Sequence, residues 1–554
     1  MDMSPFHRVF DRFVIFARDH GAPLWLVAIC AASIVLGAVF RFSNLDTKIY
    51  MSDETVTSMH VAGYTLQEFR AQLRGNQAID AVEMVRRFQG PRSHRGAQAI
   101  IHALETSDPQ HPPVYYLAEW QWQRWFGDSV HARRILSAIF GTLAIGAVFW
   151  LSFELFSSAS FAWLSAAIVA VSPFQVIYSQ QAREFSLFAL VSVLSSGALL
   201  HALRRNTLWS WVLFALVTTL MLYTAVLGLV LVTTFLVYVL FRERARWTRP
   251  ARGFVVSAAA AVALYAPWLF VAVANRQNAE AANGWWAVAL SPKIYVAKLV
   301  FAVGSVFFDA EYSNVRFAVF LLPIFALLAY ALWTTLRART PNGRVFILSL
   351  VAVNALLFLG SDILLKASRA TQIRYLFLTA IGLELALAYG LILAASSKVR
   401  RTTLASGSGI VIVLALGIFS CAIEQPKSIW WTNISDARIA KAASYIDYSK
   451  HALVLTTPDI ALKLCDFARS DPKFAFVVKT VGSLHRRSGD IYAVGEDSGV
   501  LARAESQMHL RAIPLNLDVA EQRIVKDIHR QVRRLHRALL TPKSNTTAWR
   551  LVPQ

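Results

Sequence analysis

Stretches of about 20 apolar residues recur along this chain, and that is the length a helix needs to cross the hydrocarbon core of a bilayer. We read eleven of them, at 24–40, 135–156, 161–178, 185–203, 208–223, 225–241, 254–274, 317–336, 345–365, 375–395 and 404–423. The run from Leu208 to Phe241 is too long for one helix and is divided near Tyr223–Thr224. A water-soluble chain carries about a quarter charged residues. This one is 16% charged and 56% hydrophobic over 554 positions. The pattern specifies a mainly α, polytopic membrane protein.

The net charge of +21 belongs to that architecture. Much of it sits in short loops, where Lys and Arg set orientation. With the N-terminus inside, the inner loops receive Arg204–Arg205, then Arg242, Arg244, Arg246 and Arg249, then Arg337, Arg339 and Arg344, then Lys398, Arg400 and Arg401. The remaining charge suits anionic membrane lipids, and no nucleic-acid motif accompanies it. The outside receives residues 42–134, the turn 178–184, the segment 275–316, the turn 366–374 and everything after about 424. The first apolar run is long for a signal-peptide core and lacks a small-x-small cleavage site, so it reads as a retained anchor. Cys30, Cys421 and Cys465 suggest no disulfide framework.

Two segments fall between categories. Tyr115 to Phe126 is aromatic but interrupted by Glu119, Gln121, Gln123 and Arg124, which predicts an amphipathic helix at the interface. Ile294 to Phe308 is short and carries Lys298, and making it a span would invert every later loop. It is read as a partial or re-entrant helix. The chain thus divides into a membrane domain over 1–426, with interfacial helices in the outer loop 42–134, and a small C-terminal α/β soluble domain over 427–554. In that domain Leu453–Leu455, Phe474–Val478 and Ile491–Val494 predict short strands, and Val519 to Leu540 a basic amphipathic helix.

Chemistry-bearing residues gather in the outer segments. Asp53–Glu54 follow the first span. Such a pair can simply be solvated, or it can supply a general base or a metal ligand. Asp108-Pro-Gln-His111-Pro-Pro-Val-Tyr115-Tyr116 either makes a rigid corner or presents His111 and the tyrosines to a polar cleft. Arg133 and Arg134 stand at the mouth of the second span, where they either snorkel to headgroups or grip a lipid phosphate. Tyr178 to Glu184 is an outer turn in which Arg183 and Glu184 can pair with one another. Lys366, Arg369, Arg374 and Tyr375 form a cationic outer turn, against the usual loop bias. If the topology holds, all of these meet at one membrane face, where acid groups beside a phosphate grip suit a sugar carried on a lipid phosphate.

The residue order resembles that of the GT-C glycosyltransferases. It includes S-D-E after the first span, H-P-P-V-Y-Y followed by R-R-I-L-S-A, Y-S-Q-Q-A-R-E, and the late I-R-Y-L-F-L. The similarity is greatest to family 39-type proteins, relatives of the protein O-mannosyltransferases and the lipid A aminoarabinose transferases. It covers about residues 24–240 well, the region to 423 loosely and the tail hardly at all. The resemblance implies a polyprenyl-phosphate sugar donor and a site facing the periplasm of a bacterial inner membrane. By resemblance, Asp53 matches the base, with Glu54 beside it, and Arg134 the arginine preceding S-A. Related oligosaccharyltransferases place acidic metal ligands in the second outer turn. Here that turn lacks their D-x-D, so a tightly held divalent metal does not carry over, and no other cofactor is assigned. The aminoarabinose transferases have Lys-Pro where this chain has His111-Pro112, so a lysine–phosphate contact does not carry over either.

The expected reaction is inverting transfer of a monosaccharide to a lipid, glycan or protein hydroxyl. Asp53 accepts the proton, Arg134, Arg183, Lys366, Arg369 and Arg374 hold the donor phosphate, and Asp108, His111, Tyr115, Tyr116, Tyr178, Glu184 and Tyr375 shape the substrate site. The rival classes are a polyprenyl-linked oligosaccharide polymerase or ligase, a transporter or flippase, and a non-catalytic scaffold. Paired repeats and broken midplane spans, which a transporter would favour, are not evident.

Overall fold

The computed structural model describes residues 21–73, 78–91, 95–278, 290–309, 315–338, 340–397, 399–428, 437–446, 453–466, 475–478, 491–495, 510–515 and 547–553. The basic helix expected from Val519 to Leu540 lies outside them, as do Arg339 and Lys398 of the inner loops.

The chain opens with α1 (Leu24–Phe42) and a segment of short elements, called the outer segment after the side expected for it from the sequence: α2 (Ser52–Val61), α3 (Leu66–Gln72), β1 (Ala78–Asp80), α4 (Ala81–Phe88), α5 (Ala97–Ser107) and α6 (Val114–Phe126). The bundle continues through α7 (Val130–Phe156), α8 (Ala159–Val171), α9 (Pro173–Ser179), α10 (Phe185–Arg205), α11 (Leu208–Leu222), α12 (Gly228–Arg242) and α13 (Arg249–Ala274). It closes with α14 (Pro292–Gly304), α15 (Leu321–Arg337), α16 (Pro341–Leu365), α17 (Phe377–Ala395) and α18 (Arg400–Glu424). The tail holds α19 (Ala437–Tyr445), β2 (Leu453–Thr456), α20 (Pro458–Leu464), β3 (Ala475–Val478), β4 (Ile491–Gly495), β5 (Leu510–Pro514) and β6 (Thr547–Pro553).

Eight helices among the described residues are long and apolar enough to span, and α8 with α9 makes a ninth, bent by 60°. The two remaining expected spans, α11 and α12, have 15 residues each. At 1.5 Å per residue that is about 22 Å, short of a core of about 30 Å. The turn between them therefore lies within the depth of the membrane. The segment read as partial or re-entrant forms α14, of 13 residues.

The bend between α8 and α9 has a local cause. Pro173 keeps Ser172 extended (ψ 118°) and removes a donor, so carbonyls at the end of α8 lose their helical partners. Arg41, buried at the end of α1, donates to Val169 O at 3.0 Å and Ala170 O at 2.5 Å. Close helix contacts hold the bent span in place. A Cβ on Gly37 would stand 2.3 Å from Ala170 O, and one on Gly141 would stand 2.0 Å from Ser179 Oγ. Such small-residue contacts let membrane helices pack at backbone distance. The bent span delivers the turn 180–184 to the base of the outer segment.

The outer segment and the tail are not separate units. One sheet, ordered β1-β3-β2-β4-β6-β5, takes its first strand from residues 78–80 and the rest from the tail. β1 pairs antiparallel with β3, Ala78 opposite Val477. Strands β2, β3 and β4 are mutually parallel through β2, and β4–β6 and β5–β6 are antiparallel. Met59, Phe69, Met84 and Phe88 share a core with Val454, Ile460, Leu464 and Tyr492. A boundary at 426/427 therefore divides the sequence but cuts across a single outer body. The three expected strands are present as β2, β3 and β4, while β1, β5 and β6 were not foreseen.

Candidate active site

A cavity of about 600 Å³ opens where the outer segment meets one end of the helix bundle. Asp53, Val56 and His60 of α2 line it, with Asp108 and His111 of the following corner and Arg183 and Glu184 of the second outer turn. Arg276, Arg369, Arg374 and Tyr375 also line it. Ala225, Val226 and Leu227 of the α11–α12 turn give the cavity an apolar flank.

The centre is an ion pair between residues 321 positions apart. Arg374 Nη1 donates to Asp53 Oδ2 at 2.8 Å. The Asp53 side chain is still 43% exposed. Burial pushes its carboxyl up, but Arg374 and then Arg183 overcome this and hold it at about 2. The carboxylate is thus ionised and accessible, beside a cation whose side chain is 23% exposed. An incoming phosphate competes directly with Asp53 for that guanidinium.

Arg183 is the second organiser. It donates to Asp53 O and Thr57 Oγ1, both at 3.2 Å, and pairs with Glu184 at 3.1 Å. His111 lies between two carboxylates, its Nδ1 2.9 Å from Asp108 Oδ2 and its Nε2 3.3 Å from Glu184 Oε1. Burial lowers its pKa, but Asp108 and Glu184 outweigh that and raise it above the ordinary histidine value. Asp108 is held below its ordinary value because His111 outweighs its burial. His60, with Nε2 3.8 Å from Asp108, is driven down by burial despite that carboxylate.

Glu54 and Arg134 lie elsewhere. Arg134 donates to both Glu54 oxygens at 2.8 and 2.7 Å, and also to the carbonyls of Leu45, Lys48 and Ile49. The backbone N–H groups of Met51 and Ala182 complete the Glu54 shell at 3.0 and 2.8 Å. Their side chains are 0% and 2% exposed, and neither lines the cavity. Lys366 is exposed at the left-handed end of α16, away from the cavity wall. Tyr115, with Oη 3.0 Å from Ser137 Oγ, and Tyr116 are fully buried behind His111. Tyr178 packs on Phe174 and Phe185. Of the residues expected from the sequence, the cavity therefore gathers Asp53, Asp108, His111, Arg183, Glu184, Arg369, Arg374 and Tyr375.

His60 and Arg276 were missed. His60 follows Asp53 by seven positions, which puts both on one face of α2. Arg276 stands just past the end of α13, the kind of outward cation that marked Arg374. The acidic groups do not suggest a metal site. Asp108 and Glu184 are occupied by His111 and Arg183, and no group of three or more His, Cys, Asp or Glu residues among those described could hold an ion.

Residues 110–270 match the family model described as dolichyl-phosphate-mannose-protein mannosyltransferase. No curated protein matches the chain. Among solved structures, ArnT from Cupriavidus metallidurans bound to undecaprenyl phosphate superposes with a TM-score of 0.52 at 13% identity, covering 95% of this chain and 98% of that one. The chain has the ArnT fold, and the mannosyltransferase-family match over residues 110–270 lies within it. The archaeal oligosaccharyltransferase AglB from Archaeoglobus fulgidus, in complex with an inhibitory peptide and a dolichol-phosphate, also matches. Its TM-score is 0.46 at 13% identity, over 81% of this chain and 64% of that one. The family match covers the His111 corner, the Arg183–Glu184 turn and the α11–α12 turn. The ArnT-like fold extends over 95% of the chain.

Proposed function

We propose that this chain transfers a monosaccharide from a polyprenyl-phosphate donor to an acceptor hydroxyl, with inversion, at the periplasmic face of a bacterial inner membrane. The observation that carries the reading is the exposed Asp53 carboxylate held by Arg374 in a cavity that also presents Arg276 and Arg369. The donor phosphate takes Arg374, with Arg276 and Arg369 beside it, and the polyprenyl chain leaves over the α11–α12 turn into lipid. Asp53, released from Arg374, faces the acceptor. The acceptor oxygen attacks the anomeric carbon while its proton passes to Asp53. The bond from that carbon to the phosphate oxygen breaks, and its electron pair leaves on the phosphate. Positioned cations at such a leaving group are worth several kcal/mol where water is scarce.

Loss of a proton from Asp53 to Arg374 is not required, because the ion pair already keeps the carboxylate ionised. The proton-accepting power of Asp53 rises once phosphate has taken the arginine, so donor binding switches on the base. No step is routed through a metal. The ArnT structure is bound to undecaprenyl phosphate, which supports the same carrier class here. A cavity of about 600 Å³ suits one sugar and its phosphate better than an oligosaccharide, which places the polymerase or ligase reading second.

The test uses the purified full chain in lipid nanodiscs with a panel of undecaprenyl-phosphate monosaccharides, each with lipid, glycan and peptide acceptors, scoring release of undecaprenyl phosphate. Turnover with at least one donor and its loss by about a hundredfold in Asp53→Asn are expected. Undiminished turnover in that variant rejects the base, and silence with every donor rejects the reaction class. Labelling of a Ser107→Cys variant in intact cells by an impermeant maleimide reads the orientation.

A further inference from the structure

The cavity uses only one face of α2, where Asp53, Val56 and His60 point. The other side of the helix is held by a buried polar chain that runs into the tail. Ser58 Oγ and Tyr50 Oη each accept from Arg133 Nη1, at 2.5 and 3.2 Å. Arg133 is 0% exposed, and its Nη2 donates to Gln89 O at 2.7 Å. Gln89, also 0% exposed, turns its amide so that Nε2 donates to Asp466 Oδ2 at 3.0 Å while Oε1 stands 3.5 Å from Arg133 Nη1. The Thr55 hydroxyl reaches the same Asp466 oxygen at 3.3 Å. Asp466 closes α20, which packs against α2 and α3 in the core shared by the outer segment and the tail.

A buried guanidinium needs its charge and its donors answered. Arg133 has no carboxylate bonded to it, and Asp466 answers it through Gln89. We infer that Asp466 is a positioning residue for the proposed reaction: the tail's carboxylate fixes Gln89, Arg133 and Thr55, and through them the setting of the helix that carries Asp53. The inference rests on the proposed function for its catalytic meaning. Its structural content, that Asp466 ties α2 to the tail through Gln89 and Arg133 in addition to the shared apolar core, is independent of the donor.

The physical argument is one of leverage. Asp53 sits at the first turn of α2, two residues before Thr55 and five before Ser58. A displacement of the helix by about 1 Å misaligns Asp53 with the acceptor oxygen, and errors of that size can cost about a hundredfold in rate. The Arg70–Asp459 pair also joins the outer segment to the tail, but both side chains are more than 40% exposed and it touches neither Gln89 nor α2. It is the natural control.

The experiment compares the full chain, Asp466→Ala, Asp466→Asn, Gln89→Leu and Arg70→Ala in nanodiscs. Hydrogen–deuterium exchange of residues 52–61 is the primary readout. Exchange there should speed at least fivefold in Asp466→Ala and Gln89→Leu, with no further gain in the double variant because both cut one chain. Asp466→Asn, which keeps an oxygen acceptor, should stay near the parent, and Arg70→Ala should match it. In turnover, Asp466→Ala should lower kcat about tenfold or more with the KM for undecaprenyl-phosphate sugar within twofold. Parental exchange in Asp466→Ala, or acceleration in Arg70→Ala as great as in Asp466→Ala, overturns the inference. The two readings fail separately. Full turnover in Asp53→Asn removes the proposed base whatever the exchange data say. Loss of turnover there with unchanged exchange in Asp466→Ala removes only the clamp.

Discussion

Asp53 and Glu54 are neighbours in sequence, each paired to an arginine, yet they sit in opposite surroundings. Glu54 and Arg134 are sealed from solvent, and their hydrogen bonds already occupy both carboxylate oxygens and the whole guanidinium edge. The pair ties the end of α1, the start of α7 and the turn 180–184 to α2. Asp53 and Arg374 meet through one contact at the wall of a cavity, with both side chains partly open. The comparison separates holding from exchange. A saturated buried pair can only hold, because a ligand would have to strip it bare, whereas a single exposed contact can be traded for a phosphate.

The harshest way to break the comparison is to cut the closed pair. Arg134→Met leaves Glu54 buried and uncompensated, a loss of about 3–5 kcal/mol for pairs of this kind. Thermal unfolding in detergent should show a large drop in midpoint, and any surviving protein should be poorly folded rather than selectively inactive. Asp53→Asn should do the reverse, with a loss of turnover of about a hundredfold and a much smaller drop in melting midpoint than Arg134→Met. Equal destabilisation in the two variants would erase the distinction.

Arg374→Ala sharpens the open side. Without that cation the Asp53 pKa climbs from about 2 toward the ordinary carboxylate range. Because the reaction needs the carboxylate, the acid limb of the pH–rate profile should move to higher pH in the variant. The sign of the stability effect follows from the same shift. A depressed carboxyl stabilises the fold above its unfolded value of about 3.9, and this is lost as pH falls through its folded value. His111 runs the other way and gives the smallest effect. Its raised pKa means that its bond to Asp108 stabilises fully below about 6.5 and fades as pH rises through the folded value. The melting midpoint should therefore decline modestly into the alkaline range, and His111→Gln should flatten that decline.

Membrane segments were legible because a bilayer imposes length and polarity on each helix separately, so local composition is enough to find them. The outward arginines and the carboxylates after α1 were legible for the same reason, as charges that broke the local rule. Lys366 and Arg374 looked alike by that test. Only the fold separated them, since Lys366 ends α16 exposed and away from the cavity while Arg374 turns into it. The α11–α12 turn could be placed between two apolar runs, but nothing local said that it would line the cavity.

The sequence by itself determined a polytopic helical body with its reactive side chains at one end, and its motif order carried the likeness to GT-C enzymes. It could not tell Asp53 from Glu54, because two adjacent acids differ only in which face of one helix turns toward Arg134 and which toward Arg374. Nor could it join residues 78–80 to a sheet begun nearly 400 positions later. Both are long-range choices, settled when distant segments compete to bury apolar surface and to satisfy the same few donors. The tertiary structure decided them.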